Sequence, residues 1–442
     1  MNSLRRYMKI VCLVIVLLPA MTGKVFADYD YIVVTDPFQK EIPMAIPVPV
    51  SLSDNDQTDL LAEQVAGLLA RSLDFTGYFN IIDRRAFLDA PGEQGLTARE
   101  VNFQNWRTIG AELLITAGVR FDGRVLQLEF RLFDPFRQEL LFGKRYTGET
   151  ADLREIVLRF CDEMLYRLTG DFGVFNTKIA FVSETDSGKA LFISDFDGEN
   201  VRRLTDKDNI VVSPAWSADG RRLAYTSYKN DRPEIFIRSM DTGEETLLSS
   251  YDGLNITPAW KPGGSKMAAT LSFEGDEEIY LLTGSGKVDK RLTSSWGVDV
   301  SPSFSPDGKK MAFVSGRAGS PQIYIMDLET GRTNRLTFEG RYNTQPQWSP
   351  NGDRIAYSGM KDGSSDIYLI KPDGSGLVQL TRDAGRNESP SWSPDGNMIV
   401  FSSTRKGASD IYAMTSSGAN QRRIIELEGN QSLPAWSPTL KP

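Results

Sequence analysis

The sequence predicts two domains, an N-terminal α/β domain followed by a C-terminal six-bladed β-propeller that is closed by the C-terminal strand. Three observations support this fold class: a 44-residue repeat, Gly-bearing turns at fixed places in each repeat, and a first repeat that lacks the element which ends the chain. A period of this length is typical of propellers and solenoids. The repeated Pro-x-Trp/Phe elements begin at Pro214, Pro258, Pro302, Pro346, Pro390 and Pro434.

Residues 1–27 have the features of a signal peptide. Arg5, Arg6 and Lys9 precede an apolar run over residues 10–20, and a small-residue pattern ends at Ala27. The run is shorter than the roughly 20 residues that span a bilayer, which disfavours the alternative of an uncleaved transmembrane helix. We expect the mature chain to begin at Asp28.

Residues 28–170 lack the 44-residue register and alternate helical with strand patterns, which predicts a separate α/β domain. Asp56 is a candidate N-cap of a first helix, and Gly77 ends it. Strands are predicted at 113–121, 124–133 and 140–147, and a second helix at 151–168. Residues 171–176 form a short connector, so we expect the two domains to touch. The apolar positions of the first helix are Leu60, Leu61, Val65, Leu68, Leu69 and Leu73.

Residues 177–442 carry the repeats, and each repeat is predicted to be a four-stranded antiparallel meander. Ser305-Pro306-Asp307-Gly308 places Pro and Gly where a type I turn prefers them, between strands one and two. A second Gly-bearing turn separates strands three and four, as at Thr330-Gly331. Short strands rich in β-branched and aromatic residues exclude a helical solenoid, and four-stranded units packed radially are the blades of a propeller.

The ends of the array predict how the ring closes. The first repeat begins at Lys178 without a Pro-x-Trp element before it, whereas the sixth element, at Pro434, follows the last repeat. The C-terminal strand therefore supplies the missing strand of the first blade, which removes an exposed sheet edge.

Composition excludes several classes of function. The chain has no histidine, so a Ser-His-Asp triad and a His-ligated metal are ruled out. The predicted signal peptide has four cations and no acids, so its removal makes the formal net charge more negative than −8. A chain of this charge is disfavoured as a nucleic-acid binder. Cys161 is then the only cysteine and is read as a small buried group without a functional role. We expect no enzyme activity, no catalytic residue, no cofactor, no metal, and a monomer.

Several motifs together resemble the TolB family of the periplasmic Tol-Pal system. They are the repeated Pro-x-Trp-Ser-Pro-Asp-Gly element, the leader, the junction from Leu168-Thr169-Gly170 into Phe175-Asn176-Thr177-Lys178, and the segment Gly77-Tyr78-Phe79-Asn80. The likeness extends over the whole chain. It implies a periplasmic adaptor that binds the lipoprotein Pal through the propeller and TolA through the mature N-terminal segment, with other outer-membrane lipoproteins kept open as partners. It further implies a role in outer-membrane integrity and in constriction at cell division.

The resemblance also implies binding residues. In a meander, the connections between strands four and one and between strands two and three share one face, and Val211, Asn255, Asp299, Asn343, Asn387 and Gln431 are expected around the channel mouth on that face. The residues assigned to Pal are Leu254, Asn255, Thr257, Val298, Asp299, Tyr342, Asn343, Thr344 and Arg386. Those assigned to TolA are Asp28, Tyr29, Asp30, Tyr31, Ile32, Val33 and Val34, a stretch that could add as a strand to a partner sheet.

Two other functions remain open from the sequence. A secreted propeller enzyme could use carboxylates at the channel mouth, although related propeller peptidases need an appended hydrolase domain. A glycan-binding propeller could use exposed aromatic residues, for which Trp296 and Tyr342 are the candidates because they lie outside the repeat markers.

Overall fold

The structure is a computed structural model, and it describes residues 41–53, 56–185, 188–206 and 209–440. The predicted leader and the segment assigned to TolA, residues 28–34, lie outside these ranges. Within them, none of the helices combines the length and the apolar character that a membrane crossing requires.

The N-terminal part contains one mixed sheet with helices packed against it. The sheet order is β3-β1-β4-β5-β6, with β2 beside β4. β1 pairs in parallel with β3 and β4, while β4, β5 and β6 form an antiparallel meander. The elements are β1 Ile42–Ala45, β2 Val50–Ser51, α1 Asp56–Phe75, β3 Phe79–Ile81, α2 Phe103–Thr108, β4 Leu113–Phe121, β5 Leu126–Asp134, β6 Glu139–Gly148 and α3 Leu153–Thr169.

The predicted helices and the three-strand meander are confirmed to within a few residues, whereas β1, β2, β3 and α2 were not predicted. The apolar positions of α1 differ in burial: Leu60 is 66% exposed, while Leu61, Val65, Leu69 and Leu73 are buried. Leu60 lies one position outside the apolar stripe because a helix turns 100° per residue. Cys161 on α3 is fully buried in the same core, as expected.

Six four-stranded antiparallel sheets follow, which confirms the six-bladed propeller. Blades 2 to 6 each contain four consecutive strands. Blade 2 has β10 Val211–Trp216, β11 Arg222–Ser227, β12 Glu234–Ser239 and β13 Glu245–Ser249; blade 3 has β14 Asn255–Trp260, β15 Met267–Leu271, β16 Glu278–Leu282 and β17 Val288–Arg291. Blade 4 has β18 Asp299–Phe304, β19 Lys310–Ser315, β20 Gln322–Asp327 and β21 Thr333–Arg335; blade 5 has β22 Tyr342–Trp348, β23 Ile355–Lys361, β24 Ser364–Ile370 and β25 Val378–Gln379. Blade 6 has β26 Asn387–Trp392, β27 Met398–Lys406, β28 Ala408–Thr415 and β29 Arg422–Arg423.

Blade 1 is completed by the end of the chain, as predicted. It consists of β7 Lys178–Thr185, β8 Gly188–Asp195, β9 Arg202–Arg203 and the C-terminal strand β30 Gln431–Trp436. β30 pairs antiparallel with β7, with Trp436 opposite Ile179 and Gln431 opposite Ser183. The first blade is therefore joined to the last residues by a strand ladder, and the ring has no free inner edge there.

Three of the five repeated tryptophans connect neighbouring blades. The indole Nε1 of Trp216 donates to the carbonyl of Ala435 at 3.0 Å, that of Trp260 to Ala215 at 3.1 Å, and that of Trp392 to Gln347 at 3.0 Å. Each bond runs from the inner strand of one blade to the inner strand of the preceding one. These contacts give the three tryptophans a structural role in the ring.

The tight turns follow the predicted chemistry. Gly308 N–H donates to Ser305 C=O at 2.8 Å, and the Ser305 hydroxyl donates to the Asp307 carboxylate at 2.6 Å. Gly308 has a φ of 66°, a conformation that a glycine adopts without a Cβ penalty. Turn geometry accounts for the repeated Asp-Gly pairs.

The N-terminal domain packs on the propeller face that carries these tight turns, which we call the turn face. Phe196, in the strand-three-to-four turn of blade 1, is fully buried between Phe75 at 5.1 Å and Phe175 at 5.3 Å. Arg154 bonds Asp197 at 2.8 Å, and Arg422 of blade 6 bonds Asp74 at 2.8 Å. One hydrophobic core runs through both domains, so the turn face of blades 1 and 6 is covered.

Candidate functional site

The opposite face of the propeller, which we call the loop face, is formed by the strand-four-to-one and strand-two-to-three connections. Most of the exposed large apolar side chains of the propeller lie at its strand-four-to-one connections: Ile210, Trp296, Val298, Phe338 and Tyr342. Trp296 and Phe338 are each 74% exposed. Among the described residues of the propeller, only Leu247 and Leu377 are comparably exposed elsewhere. Several exposed apolar groups on one face are typical of an interaction surface.

The six residues expected around the channel mouth are not on the surface. Their positions open the inner strands, but every one of them is at most 1% exposed: Val211, Asn255, Asp299, Asn343, Asn387 and Gln431. They therefore do not form a solvated rim. Sequence reasoning placed polar side chains outside because polar groups are costly to bury unless each finds a partner.

Partners for these buried side chains come from the loops themselves. Asn255 Oδ1 accepts from the Ser249 hydroxyl at 2.7 Å and from the Tyr251 amide at 2.9 Å, and its Nδ2 donates to the Tyr251 carbonyl. Asn343 Nδ2 donates to Gln322 Oε1 of the preceding blade and to the Glu339 carbonyl, both at 2.8 Å. These amides fix the strand-four-to-one connections and link one blade to the next.

Blades 4 and 6 hold an arginine in this layer. Arg317 donates to Asp299 Oδ2 at 2.7 Å, and its guanidinium lies 5.0 Å from the centre of the Tyr324 ring. Burial raises the pKa of Asp299 above its ordinary value despite the nearby Arg317. In blade 6, burial lowers the pKa of Arg405, whose guanidinium lies 4.4 Å from the Tyr412 ring. Both arginines are anchored groups and have limited freedom to leave the blade.

The remaining residues assigned to Pal are accessible to different degrees. Val298 is 39% exposed, Tyr342 is 49% exposed, and Arg386 is exposed with its guanidinium bonded to Glu388 at 2.8 Å. Leu254, Thr257 and Thr344 are partly buried. The structure thus brings all nine assigned residues to one face, but only some of them present side chains to a partner.

Thr257 belongs to a repeated backbone feature that the sequence did not reveal. The residue before each repeated proline has a positive φ, between 49° and 57°, and the strand register shifts at the same place in every blade. Such a bulge redirects one side chain, and in blade 3 the Thr257 hydroxyl turns toward Thr270 at 2.8 Å. The six residues are Ser213, Thr257, Ser301, Gln345, Ser389 and Leu433.

Phe338 was missed as a surface residue of interest. Like Trp296, it is an aromatic residue outside the 44-residue marker positions, and this was the available signal. In the described ranges, no three carboxylate or thiolate residues lie close enough together to hold a metal ion.

These features define the class: a six-bladed β-propeller protein whose turn face carries an α/β domain and whose loop face is not covered by that domain within the described residues. Two family models match this chain, the "TolB beta propeller domain" over residues 165–440 and the "TolB amino-terminal domain" over residues 30–141. The chain belongs to the TolB family.

Relatives agree with that assignment. The chain is 50% identical over 212 residues to the Tol-Pal system protein TolB of Desulfosudis oleivorans and 40% identical over 206 residues to that of Syntrophus aciditrophicus. The aligned part of the chain spans about half the length of these relatives, 48% and 44%. The crystal structure of TolB from Acinetobacter baumannii is similar with a TM-score of 0.79 and 27% identity, over 90% of this chain and 97% of that one.

Proposed function

We propose that this protein is a periplasmic adaptor of the Tol-Pal envelope complex, which binds the lipoprotein Pal on its loop face and TolA through its mature N-terminal segment. The observation that carries the Pal part is the set of exposed apolar side chains on the loop face, opposite the covered turn face. Aromatic side chains on such surfaces commonly dominate binding energy. Family membership supports the choice of the Tol-Pal system, and other outer-membrane lipoproteins stay further candidates for the same face.

The nine residues assigned to Pal divide into two roles in this proposal. Val298, Tyr342 and Arg386 contact the partner directly, together with the accessible parts of Leu254, Thr257 and Thr344. Asn255, Asp299 and Asn343 hold the loops in a fixed shape, because their side chains are buried and bonded within the blades. A preformed surface loses less conformational entropy on binding, which favours affinity.

The TolA part depends on residues 28–34, for which we keep the assignment Asp28 to Val34. An extended segment with alternating polar and β-forming residues adds to the edge of a partner sheet through main-chain hydrogen bonds. We further propose cleavage after Ala27, so that this segment becomes the free N-terminus. The adaptor then supports outer-membrane integrity and constriction during division by controlling when Pal is engaged.

Calorimetric titration of two forms of the chain tests both parts. One form begins at Asp28 and the other at Gln39, and each is titrated with Pal and with the C-terminal domain of TolA. We expect both forms to bind Pal and only the longer form to bind TolA. Failure of the longer form to bind either partner at micromolar concentration contradicts the adaptor proposal.

Exposure of Trp296 also favours the glycan-binding alternative, since a free indole face can stack on a sugar ring. The variant Trp296→Ala separates the two functions. The adaptor proposal predicts at least about a tenfold loss of Pal affinity, and no measurable binding of peptidoglycan fragments by the unsubstituted chain. Glycan binding that disappears in Trp296→Ala, with Pal binding unchanged, supports the alternative.

A further inference from the structure

Blade 5 differs from its two neighbours in the layer where an arginine covers an aromatic pair. In blade 4 the Arg317 guanidinium lies 5.6 Å from the Phe313 ring and 5.0 Å from the Tyr324 ring. In blade 6 the Arg405 guanidinium lies 5.3 Å from Phe401 and 4.4 Å from Tyr412. A guanidinium over an aromatic face is held by the ring quadrupole.

Hydrogen bonds complete each of these arrangements in the same way. Arg317 donates to the Ser315 hydroxyl and to Asp299 Oδ2, both at 2.7 Å. Arg405 donates to the Ser403 hydroxyl at 2.8 Å and to Asn387 Oδ1 at 3.0 Å. The acceptors at the start of the inner strand and at the end of strand two are thus equivalent in the two blades.

In blade 5 the aromatic pair is present but the arginine is not. Tyr357 and Tyr368 stack with centroids 5.5 Å apart and planes at 18°. The 44-residue register places Lys361 where the neighbours have Arg317 and Arg405, and Gly359 where they have serine. Among the described residues, no hydrogen-bond or ion-pair partner is found for the Lys361 ammonium. A second cation is also missing, since Gln379 stands where Arg335 and Arg423 stand in blades 4 and 6.

These replacements leave a cavity of about 170 Å³ on the loop-face side of blade 5. Its walls include the two tyrosine rings, Asn343, Gly359 and Glu339, together with the basic residues Lys361 and Arg382. Tyr342, which is 49% exposed, lies beside it, because Tyr342 pairs with the lining residue Met360. The opening is therefore continuous with the proposed docking surface.

Asn343 presents an unused acceptor to this cavity. The residue is only 1% exposed, and both described hydrogen bonds of its side chain are made by Nδ2. Its Oδ1 faces Gly359 and would lie 2.9 Å from a Cβ at that position. The equivalent oxygens, Asp299 Oδ2 and Asn387 Oδ1, accept from Arg317 and Arg405. An amide oxygen in this position can accept a hydrogen bond from an N–H group that enters the cavity.

Ionisable groups of both signs lie at the cavity. Of the residues that line it, Glu339 is acidic, and Lys361 and Arg382 are basic. Burial and the carboxylates of Asp366, Glu339 and Asp362 raise the pKa of Tyr368, and Arg382 opposes them. A planar guanidinium can stack on the tyrosines and donate to two acceptors at once, which an ammonium or an apolar group cannot do.

We propose that the blade 5 cavity binds a guanidinium, delivered by an arginine side chain of a protein partner that docks on the loop face. The partner's arginine completes the layer that Arg317 and Arg405 complete in blades 4 and 6. This inference rests on the proposed function, because the arginine belongs to the partner of that same face.

Titration of the full chain with a capped single arginine, N-acetyl-arginine amide, tests the chemistry. Ligand-observed NMR is suited to the expected dissociation constant, on the order of 1 mM. The capped citrulline analogue has the same shape without the charge, and we expect at least about tenfold weaker binding from it. Equal binding of the two compounds, or no binding of the arginine compound at tens of millimolar, overturns the proposal.

The variant Lys361→Arg supplies the missing arginine within the chain and should block the cavity. We expect it to lose the binding of capped arginine, while Lys406→Arg, the same exchange at an exposed loop-face position of blade 6, keeps it. Undiminished binding in Lys361→Arg overturns the assignment of the cavity. Glu339→Gln, which removes an exposed carboxylate, should weaken binding without abolishing it.

A second arm identifies the source of the arginine. Pal affinity should fall about tenfold in Lys361→Arg, and one arginine-to-alanine variant of Pal should lose as much, with no further loss when the two changes are combined. Pal that binds the unsubstituted chain and Lys361→Arg equally overturns the partner arginine and leaves the adaptor function standing. If Pal does not bind the unsubstituted chain at all, the adaptor function is wrong. The capped-arginine titration then still tests whether the blade 5 cavity binds a guanidinium.

Discussion

The two faces of the propeller place the same residue types in opposite environments. Phe196 on the turn face is fully buried between two phenylalanines of the N-terminal part, whereas Phe338 on the loop face is 74% exposed. The turn face consists of tight turns with a common sequence, and the loop face consists of connections whose sequence varies. The difference indicates that changes on the turn face should alter stability, and changes on the loop face should alter recognition.

Removal of the aromatic group at the turn face gives the largest expected effect. Phe196→Ala deletes a buried ring and leaves a cavity between the domains, so the free energy of unfolding should fall by about 3–5 kcal/mol. Denaturant unfolding followed by tryptophan fluorescence measures it. Pal affinity of the folded variant should stay unchanged. A loss of stability below about 1 kcal/mol contradicts the covered state of this face.

A buried carboxyl near the domain connector should make stability depend on pH. Burial raises the pKa of Asp162 from its ordinary value to about 7. The folded state keeps the proton while the unfolded chain releases it above about pH 4, so stability is highest at low pH within this window and falls as pH rises to about 7. The slope approaches about 1.4 kcal/mol per pH unit.

Asp162→Asn is the matching variant, because it keeps the shape and cannot ionise. It should remove this pH dependence and raise stability at pH 8 by about 4 kcal/mol. Unfolding curves of both proteins between pH 4 and pH 8 provide the measurement. Parallel pH profiles for the two proteins show that Asp162 is already ionised in the folded state. Loop-face binding should not follow this profile.

The loop face should show the reverse pattern. Phe338→Ala should change the free energy of unfolding by less than about 0.5 kcal/mol, because its ring is 74% exposed and its one described ring contact, with the Arg335 guanidinium at 4.8 Å, lies at the surface. It should nevertheless lower Pal affinity about tenfold. Leu247→Ala is the control, since Leu247 is half exposed but lies on the outer strand β13. Equal affinity losses in the two variants argue for a nonspecific effect of surface hydrophobicity.

The rim of the turn face should give the smallest effect. Arg422 pairs with Asp74 at 2.8 Å and lies 5.4 Å from the Phe75 ring, but the Asp74 side chain is 52% exposed. Arg422→Ala should therefore cost less than about 1 kcal/mol, with the difference reduced in high salt. A larger cost that salt does not change indicates that packing of the Arg422 stem dominates.

The architecture was predictable because the 44-residue register repeats both the strand pattern and the turns. Strand β1 was not predictable, because Pro43 lies within it and further prolines flank it. A proline inside a run of residues argues against a strand. The exposed Trp296 and Phe338 were detectable as aromatics outside the register. The burial of Asn255, Asp299 and Asn343 was not, because it depends on acceptors and donors from loops that no local pattern specifies.

The blade 5 cavity was predictable from the sequence only in part. The sequence shows Gly359 and Lys361 breaking a column of serine and arginine, but it does not show that Asn343 Oδ1 is left without a donor. That fact follows only from the positions of Tyr368 and the strand-four-to-one loop. Comparison of the repeats identifies blade 5 as the one that differs from its neighbours, and the structure shows which hydrogen-bond donor is absent there.

The pairing of β30 with β7 has a consequence for how the chain is made. β7 emerges early in synthesis and has no inner partner until residues 431–436 follow about 250 residues later. Until then, one end of the array carries an unpaired strand, which is the kind of edge that aggregates or recruits a chaperone. Closure of the ring therefore depends on residues 431–436, and a product shortened before Gln431 leaves β7 without its inner partner and exposes that sheet edge.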